Sequence, residues 1–285
     1  MEEKCDITDL PLSEKKQIAK YIAEDTLKIV NSSIDIVSPP NTLYVKYFKR
    51  FFDLLFGLIG FVITLPINLI IAVITIYDVG MPIFFEQIRL GKDKKPFKIY
   101  KFRNMTNDRD KKGELLPPYA RVTKWGRFVR RSSLDELLNF IPVIKGDMSI
   151  IGPRPLLDYY ADRLNDRHRS IYLIKPGLEC PFVKDVDHPL RWDERLDNYV
   201  WYVEHCSFLV DIQLSFRLVK SVFDRRSMKI REKADHGGLL GYDTDGHIIS
   251  TKAVPYKYIV KLCNENGYAN LEDAVSKRKE SVLQQ

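Results

Sequence analysis

The pattern of hydrophobic and polar positions separates one long apolar run from the rest of the chain. No charged residue occurs between Leu54 and Ile76. A helix needs about 20 apolar residues to cross the hydrocarbon core of a bilayer, so this run is just long enough to do so. A membrane-spanning helix is therefore the default prediction.

Two features of the run favour a helix that enters the membrane and returns to the same side. Pro66 lies near the middle, where a proline lacks an amide donor and clashes with the preceding turn, so each half becomes too short to span. Cytoplasmic flanks attract Lys and Arg. Such residues occur on both sides of the run, at Lys46, Lys49 and Arg50 before it and at Arg89, Lys92, Lys94, Lys95, Lys98, Lys101 and Arg103 after it.

We therefore predict a re-entrant helix hairpin that breaks at Pro66, with both ends on the cytoplasmic side. Two alternatives stay open at this point. One is a single kinked spanning helix, because membrane helices tolerate proline. The other is a helix buried in the core of a domain.

Outside the run, the pattern predicts an α-rich α+β fold in four parts. Residues 1–41 form an N-terminal extension, and residues 42–78 contain the membrane-associated segment. Residues 79–223 form a compact domain of helices and short strands. Residues 224–285 form a C-terminal extension, where the composition becomes charged and Gly-rich.

Local periodicity predicts elements within these parts. Ile18, Tyr21 and Ile22 share one face of a short amphipathic helix in the N-terminal extension. The apolar residues 83–85 form a strand or a packed turn. The pattern over residues 256–279 is helical.

Composition and charge narrow the class of protein. With 45% hydrophobic and 29% charged residues, the chain of 285 residues is neither disordered nor fibrous. The formal net charge of +7 favours an anionic partner, which is a nucleic acid, an anionic membrane surface or a phosphorylated substrate. The cysteines are far apart, with no Cys-x-x-Cys pair, so neither a zinc site nor a disulfide framework is indicated, and a reducing cytoplasm fits best. The acidic, polar N-terminus does not resemble a secretory signal.

A capping box predicts that a helix begins at Ser133. Ser133 and Glu136 form an S-x-x-E pattern ahead of the apolar Leu137 and Leu138. Capping alone would explain both residues. Asp135, in the first turn, would also suit the helix dipole.

Cations crowd the same helix start. They are Lys124, Arg127, Arg130 and Arg131. A bound anion would meet cations, free amide groups and the helix dipole together at this place. A solvated basic face explains the same residues equally well, so both interpretations stay open.

The adjacent carboxylates of Asp135 and Glu136 suit phosphate chemistry. A carboxylate among cations stays ionised and can serve as a metal ligand, nucleophile or base. It can attack a phosphoanhydride when Mg²⁺ and cations neutralise the phosphates. Neighbouring helical residues point roughly 100° apart, so one carboxylate attacks or binds metal while the other supports it.

Arg154 lies in the turn Gly152-Pro153-Arg154-Pro155, between two prolines that constrain its backbone. A guanidinium held in this way can grip a phosphate or a carboxylate of a substrate. Pairing with an internal acid is the structural alternative, and it explains the residue at least as well.

Several blocks of the sequence closely resemble the bacterial polyprenyl-phosphate phosphoglycosyl transferases of the small monotopic class, the initiating sugar transferases of glycan assembly. The resemblance extends from Lys49 to about Phe223. Its most specific parts are a Leu-Asp-Glu motif at Leu134 and a Gly-Asp-Met-Ser-x-x-Gly-Pro-Arg-Pro motif at Gly146. The blocks are residues 49–53, Pro66 and residues 87–91, 97–105, 130–138 and 145–155.

The resemblance implies a re-entrant membrane helix hairpin beneath a catalytic domain, at the cytoplasmic face of the bacterial plasma (inner) membrane. It implies transfer of a sugar-1-phosphate from a nucleoside diphosphate sugar, a UDP-sugar, to polyprenyl (undecaprenyl) phosphate. A nucleoside monophosphate is released, a covalent phospho-sugar aspartyl intermediate forms, and Mg²⁺ is the cofactor. Because this reaction initiates polysaccharide assembly, downstream glycosyltransferases are expected partners.

The resemblance also implies roles for individual residues. Asp135 is the nucleophile and a metal-site residue, and Glu136 is its partner in a catalytic dyad. Lys101 and Arg130 match the family's cationic phosphate-binding residues, and Arg154 lies in a matching block as a substrate-binding candidate.

The segment after Gly177 departs from the family. The family continues with Thr-Gly-Trp-x-Gln-Val-Asn-Gly-Arg, whereas in this chain Leu178 is followed by Glu-Cys-Pro-Phe-Val-Lys-Asp-Val-Asp. The arginine that ends the family block helps to hold the donor and would fall near Asp187. Arg191 is the nearest candidate substitute.

Two functions are therefore in competition. The first is an active phosphoglycosyl transferase, which the intact set of Asp135, Glu136, Lys101 and Arg130 favours. The alternative is a non-catalytic or regulatory relative that binds polyprenyl phosphate or a partner glycosyltransferase. A nucleic-acid-binding protein is not expected, because the apolar run and its cationic flanks point to a membrane.

Overall fold

The structure, a computed structural model, describes residues 3–109, 113, 115–116, 118–182, 188–224 and 237–275. It has the α-rich α+β fold that the sequence predicts. In chain order, its helices are α1 (Leu12–Ile22), α2 (Lys28–Asn31), α3 (Lys49–Val79), α4 (Pro118–Arg121), α5 (Lys124–Arg131), α6 (Phe140–Lys145), α7 (Asp166–Arg169), α8 (Trp192–His205), α9 (Phe208–Phe223) and α10 (Tyr256–Asn266). Its strands are β1 (Lys4–Cys5), β2 (Phe84–Leu90), β3 (Pro96–Phe102), β4 (Ser149–Ile151), β5 (Gly177–Glu179), β6 (Leu239–Tyr242), β7 (Ile248–Ser250) and β8 (Val254–Pro255).

The strands form separate pairs. β2 and β3 make an antiparallel hairpin, so Phe84 and Phe85 of the apolar residues 83–85 lie in a strand and Ile83 directly precedes it. β4 and β5 pair in parallel, with Ile151 opposite Glu179. β6 pairs with β7 and β1 pairs with β8, both in antiparallel orientation. The parallel pair brings together two segments that are far apart in the sequence.

The apolar run forms the long helix α3, which continues through Pro66. By length and composition, this helix could cross a membrane. The predicted break at Pro66 is not present as a helix end, and a hairpin of two separate helices is not confirmed. A proline removes only its own N–H and strains one turn, so hydrogen bonds on either side can carry a helix past it.

Both ends of α3 are bound to the domain of residues 79–223, here called the central domain. Near its beginning, Asp53 Oδ2 accepts a hydrogen bond from the Ser149 hydroxyl at 2.6 Å. Near its end, Asp78 Oδ2 accepts one from the Thr123 hydroxyl at 2.6 Å. The helix therefore begins and ends on the same domain.

The two long faces of α3 have different surroundings. One face packs closely on α6, since a Cβ at Gly57 would lie 2.9 Å from Val143 Cγ1 and a Cβ at Gly60 would lie 2.6 Å from Phe140 Cε1. The opposite face exposes large apolar side chains, which are Phe51, Phe56, Leu58, Val62, Ile63, Leu69, Ile70, Val73 and Tyr77. The alternative of a helix buried in a protein core is therefore wrong.

Helix α9 extends this exposed apolar surface. Phe208 at its start packs on Phe52 of α3, with ring centroids 5.2 Å apart. Leu209, Phe216 and Val219 of α9 are exposed. Large contiguous apolar patches on protein surfaces mark contacts with membranes or partners. The exposed apolar residues of α3 and α9 are here called the apolar face.

The N-terminal and C-terminal extensions fold together. β1 pairs with β8, and α1 buries Ile18, Tyr21 and Ile22 as its periodicity predicts. α10 and the helical residues 271–275 confirm the C-terminal helical prediction in two pieces, but residues 267–270 between them are not helical. Residues 276–279 lie outside the described residues. The shared core consists of Ile7, Leu10, Ile18, Ala19, Tyr21, Ile22, Leu240, Ile249, Val254, Tyr258, Ile259, Leu262, Cys263 and Ala274. We call the described residues 3–31 and 237–275 the terminal unit. The four domain boundaries stay a prediction.

Candidate active site

The two candidate carboxylates lie in a short 3₁₀ helix, Leu134–Asn139, that leads into α6. The preceding Ser133 has a left-handed backbone with φ of 56°, and its side chain makes no capping hydrogen bond. The predicted capping box is therefore wrong. The capping box does not form because the Glu136 carboxylate makes tertiary contacts. It binds cations of the central domain instead of the backbone N–H of Ser133. Left-handed residues other than glycine are costly and often occur at functional sites.

Glu136 is held by two cations. Lys101 Nζ lies 2.7 Å from Glu136 Oε1, and Arg154 Nη2 lies 2.7 Å from Oε2 and 2.8 Å from Oε1. Burial alone would raise the pKa of Glu136, but Arg154 and Lys101 outweigh that effect and lower the pKa to about 2. Glu136 is therefore ionised at every physiological pH.

Asp135 has the opposite environment. The residue is 4% exposed, and the described cations form no ion pair with it. Burial raises the pKa of its carboxyl to about 6, and the charge of Glu136 adds to that rise. Lys101 and Arg130 are close enough to lower this pKa, but only in part. Adjacent carboxyls whose pKa values are driven apart are typical of catalytic sites.

Arg154 pairs with internal acids, which was one of the two interpretations of its proline-flanked turn. It binds Glu136 through Nη2, and its Nη1 donates to Glu179 Oε2 at 2.8 Å. Glu179 and then Glu136 raise the pKa of Arg154 above its ordinary value. Lys101, Glu136, Arg154 and Glu179 thus form one chain of alternating charges, here called the ionic chain.

The parallel pairing of β4 with β5 places Glu179 beside Arg154. Two glycines allow the backbones to approach. A Cβ on Gly177 would lie 2.1 Å from Gly152 N, and a Cβ on Gly152 would lie 2.8 Å from Lys175 O. Any side chain at either position would force the two segments apart. The ionic chain therefore depends on a backbone contact that only glycine permits.

Residues 44–225 match the family described as bacterial sugar transferase. The chain belongs to this family. The match confirms the resemblance inferred from the sequence blocks, and it covers α3 and the whole central domain.

Individual relatives agree with this bacterial sugar transferase assignment. The uncharacterized sugar transferase EpsL of Bacillus subtilis strain 168 is 38% identical over 174 residues, which are 61% of this chain and 86% of that protein. The UDP-glucose:undecaprenyl-phosphate glucose-1-phosphate transferase of Klebsiella pneumoniae is 33% identical over 195 residues, covering 63% of this chain and 41% of that protein. The UDP-N-acetylgalactosamine-undecaprenyl-phosphate N-acetylgalactosaminephosphotransferase of Aeromonas hydrophila is 28% identical over 233 residues, covering 77% of this chain and 54% of that protein. The chain spans only about half of the latter two relatives.

The other cations predicted for this sugar transferase site lie on the surface. Lys124, Arg127, Arg130 and Arg131 of α5 are exposed. Arg130 acts on Asp135 through its charge, and no described hydrogen bond joins the two side chains. The structure thus keeps an exposed basic face beside Asp135, which is compatible with both earlier interpretations.

Arg191 is not part of the ionic chain. It is the N-cap residue directly before α8, where its Nη2 lies 3.0 Å from Asp193 Oδ2 and its backbone N–H donates to Glu194 Oε2 at 2.9 Å. Its proposed role as a substitute for the family arginine stays a prediction. Asp187, the position nearest to that arginine, lies outside the described residues.

Sequence reasoning missed two side chains of the site. In the sequence, Glu179 was interpreted only as a departure from the family. A carboxylate at the position of the family threonine also indicates a new ion pair, which the structure forms with Arg154. Asn104 follows β3, and its Nδ2 lies 3.4 Å from Asp135 Oδ2. The block of residues 97–105 contains both Lys101 and Asn104, so that block could have indicated the second residue as well.

The donor set around Asp135 fits Mg²⁺, which prefers oxygen ligands. Asp135 offers a buried carboxylate with no paired cation among the described side chains. The neighbouring Asn104 amide offers a carbonyl oxygen when its orientation is reversed. These two residues would hold the ion.

Proposed function

We propose that this bacterial sugar transferase moves a sugar-1-phosphate from a UDP-sugar to undecaprenyl phosphate through a covalent intermediate on Asp135. The observation that carries the proposal is the contrast between adjacent carboxylates. Asp135 is buried and unpaired with any described cation, whereas Glu136 is fixed by Lys101 and Arg154. The names of the Klebsiella pneumoniae and Aeromonas hydrophila relatives support this class of reaction.

In the first step, an Asp135 oxygen attacks the phosphorus that carries the sugar. A bond forms between this oxygen and phosphorus, and the bond from phosphorus to the nucleoside monophosphate breaks. The nucleoside monophosphate leaves with the electron pair. The ionised carboxylate is the nucleophile. Because the pKa of Asp135 is raised only to about 6, most of the carboxyl is ionised above that pH.

In the second step, a phosphate oxygen of undecaprenyl phosphate attacks the same phosphorus. The bond to Asp135 breaks, and the carboxylate is regenerated. The product is a sugar joined to undecaprenol by a diphosphate, which is a starting point for polysaccharide assembly by downstream glycosyltransferases. An acceptor phosphate that is a dianion has no proton to lose, so this step needs no general base.

The cations of the site stabilise the phosphates. Lys101 belongs to the ionic chain and contacts Glu136 of the dyad, and Arg130 lies on the exposed basic face. Fixed positive charges aimed at a transferring phosphoryl group lower the barrier most when they are already in place. Glu136 keeps Lys101 and Arg154 in place, which is its supporting role. When bound, Mg²⁺ supplies additional charge that neutralises the phosphate oxygens.

We also propose that α3 is a re-entrant membrane element and that the reaction occurs at the cytoplasmic face of the plasma membrane. Both ends of α3 are bound to the central domain, through Asp53 and Asp78. If α3 spanned the bilayer, its two ends would lie on opposite sides, and one of these hydrogen bonds would be lost. The apolar face offers the surface that a bilayer would cover. The lipid acceptor then reaches Asp135 from the membrane side.

A release assay tests the reaction. Purified full-length protein is incubated with Mg²⁺, undecaprenyl phosphate and each of a panel of UDP-sugars, and UMP release is measured. We expect release with at least one donor, and loss of release in Asp135→Asn. The matched control is Asp25→Asn, at an exposed carboxylate of the terminal unit. Release equal to wild type in Asp135→Asn contradicts the proposed nucleophile. Binding of undecaprenyl phosphate with no release from any donor would support the non-catalytic alternative.

Cysteine labelling tests the membrane topology. Cysteines introduced one at a time at Asn41 and Lys92 flank the two ends of α3, in a Cys5→Ser background whose remaining cysteines, Cys180, Cys206 and Cys263, are buried. A membrane-impermeant maleimide applied from one face should label both positions or neither. Labelling of the two positions from opposite faces rules out re-entry.

A further inference from the structure

We propose that a cavity between the terminal unit and the central domain binds a small phosphorylated molecule. The cavity has a volume of about 380 Å³. Tyr159, Tyr160 and Arg163 line it from the central domain, and Lys15, Gly238 and Thr251 line it from the terminal unit. Small-molecule sites usually have volumes of about 300–1,000 Å³ and often occur between domains. The site is separate from Asp135, and the proposal does not depend on the transfer reaction.

Arg163 is a buried arginine at the cavity for which the described residues supply no counter-ion. Arg163 is 5% exposed, yet the described part of the chain provides no carboxylate that pairs with it. Its Nη1 donates to Leu239 O at 2.6 Å. Its guanidinium carbon lies 4.9 Å from the ring centroid of Tyr159 and 5.4 Å from that of Tyr160. Burying a charge is costly unless an opposite charge compensates it.

The pKa of Arg163 is consistent with that cost. Burial lowers the pKa of its guanidinium, while the two tyrosines raise it only in part. Two aromatic faces and one carbonyl stabilise a cation less than a carboxylate or a phosphate does. An anion in the cavity would supply the missing partner.

The rest of the lining favours a phosphate over a carboxylate. No acidic residue is among the described residues that line the cavity. Lys15 contributes a second cation, and its Nζ donates to Thr8 O at 2.5 Å on the cavity wall. The Thr251 hydroxyl oxygen accepts a hydrogen bond from Gly238 N at 2.9 Å, which leaves its own O–H able to donate. A guanidinium, an ammonium and a hydroxyl suit the several oxygens of a phosphate group.

The cavity has a natural reporter in Trp192. Its ring centroid lies 5.3 Å from that of Tyr160, and its Nε1 donates to Gly237 O at 3.0 Å. It therefore contacts both sides of the boundary that a ligand would bridge. Substituting Trp125 and Trp201 by phenylalanine leaves Trp192 as the single tryptophan of the chain.

Fluorescence titration of this single-tryptophan protein tests the proposal. Inorganic phosphate and UMP are added in separate arms, which distinguish a bare phosphate site from a nucleotide site. We expect a saturable change of Trp192 emission in at least one arm. Arg163→Gln should weaken that binding about tenfold or more, the usual effect of losing a charge-assisted hydrogen bond. Arg167→Gln is the matched control, since Arg167 pairs with Glu204 at 3.4 Å outside the cavity, and it should bind like the parent protein.

A second measurement separates this cavity from the catalytic site and does not need a substitution at Arg163. In the Lys101→Ala variant, whose catalytic phosphate site is weakened, equilibrium dialysis with the ligand identified by titration should still find one bound ligand per chain. Absence of a saturable signal in both arms, or no bound ligand in Lys101→Ala, overturns the proposal. Unchanged affinity in a folded Arg163→Gln protein also overturns it.

Discussion

Two arginines at the ends of residues 154–163 have opposite surroundings. Arg154 donates to carboxylates of Glu136 and Glu179, so its charge is balanced inside the candidate active site. Arg163 contacts a carbonyl and two tyrosine rings, and no described carboxylate balances its charge. An arginine that lines a binding site can therefore position other side chains of the protein, or it can bind the ligand itself. Which of the two it is depends on whether the protein supplies the counter-ion.

Substituting each arginine tests the comparison most strongly. Arg154→Gln leaves Glu136 and Glu179 without their shared partner, and the loss of charge-assisted bonds should lower kcat/KM for UMP release on the order of 100-fold. Arg163→Gln should leave kcat/KM within about twofold, less than the effect of one hydrogen bond, because the described contacts of Arg163 do not include the ionic chain. Equal losses in the two variants contradict the separation of their roles.

Asp135→Asn should stabilise the protein while it abolishes transfer. Folding raises the pKa of Asp135 from 3.8 to about 6. The proton is thus bound more tightly in the folded state, and the associated stability is lost as pH rises through the folded pKa. In the absence of divalent cations, Asp135→Asn should raise the free energy of unfolding by about 2 to 3 kcal/mol at pH 8.

The pH dependence of that gain is its control. At pH 5 the stabilisation by Asp135→Asn should fall to roughly half of its value at pH 8, since the folded wild type is then largely protonated at this residue. Urea denaturation at both pH values measures the difference. A gain that does not change with pH would show that the carboxyl charge is not its cause.

Transfer activity should depend on pH through Asp135. Because the protonated carboxyl is not a nucleophile, kcat/KM should fall about tenfold for each pH unit below the pKa of Asp135. That pKa is about 6 without bound metal, and Mg²⁺ at the carboxylate would lower it. Glu136, whose pKa is about 2, does not contribute to this fall of kcat/KM at acid pH. Glu136→Gln removes a charge that raises the pKa of Asp135. The acidic fall of kcat/KM should therefore occur at lower pH in the residual activity of that variant. An acidic fall at the same pH as in wild type would contradict the effect of the Glu136 charge on the pKa of Asp135.

Among substitutions in the ionic chain, Glu179→Gln should have the smallest effect. It removes one of the two carboxylates at Arg154 but leaves Glu136 bound to both Lys101 and Arg154. We expect kcat/KM to fall several-fold, about the effect of one weakened charge-assisted bond, and Glu179→Asp to recover part of the loss. A loss as large as that of Arg154→Gln would mean that Glu179 has a role beyond positioning Arg154.

Local sequence features predicted some elements well and failed where distant segments meet. The apolar α3 and the buried face of α1 followed from composition and periodicity alone. The capping box at Ser133 failed because Glu136 gains more from Lys101 and Arg154 than from a backbone amide. The break at Pro66 did not appear as a helix end, because a single missing hydrogen bond does not have to end a long helix.

Long-range pairing explains what the sequence did not reveal. The dyad, Lys101 and Arg154 were identified from motifs, and they lie together in the structure. Glu179 joins them only because β4 and β5 pair in parallel. The terminal unit includes a pair of two-residue strands from distant parts of the chain, β1 and β8. Such short strands have no periodicity that could be recognised.

The most direct test of the central claim is to trap the intermediate on Asp135. The protein is incubated with Mg²⁺ and the active UDP-sugar in the absence of undecaprenyl phosphate, quenched with acid, digested and analysed by mass spectrometry. The account predicts that the peptide containing Asp135 gains the mass of one sugar phosphate, and that Asp135→Asn gains none. No adduct in a preparation that releases UMP, or an adduct on another residue, would contradict it.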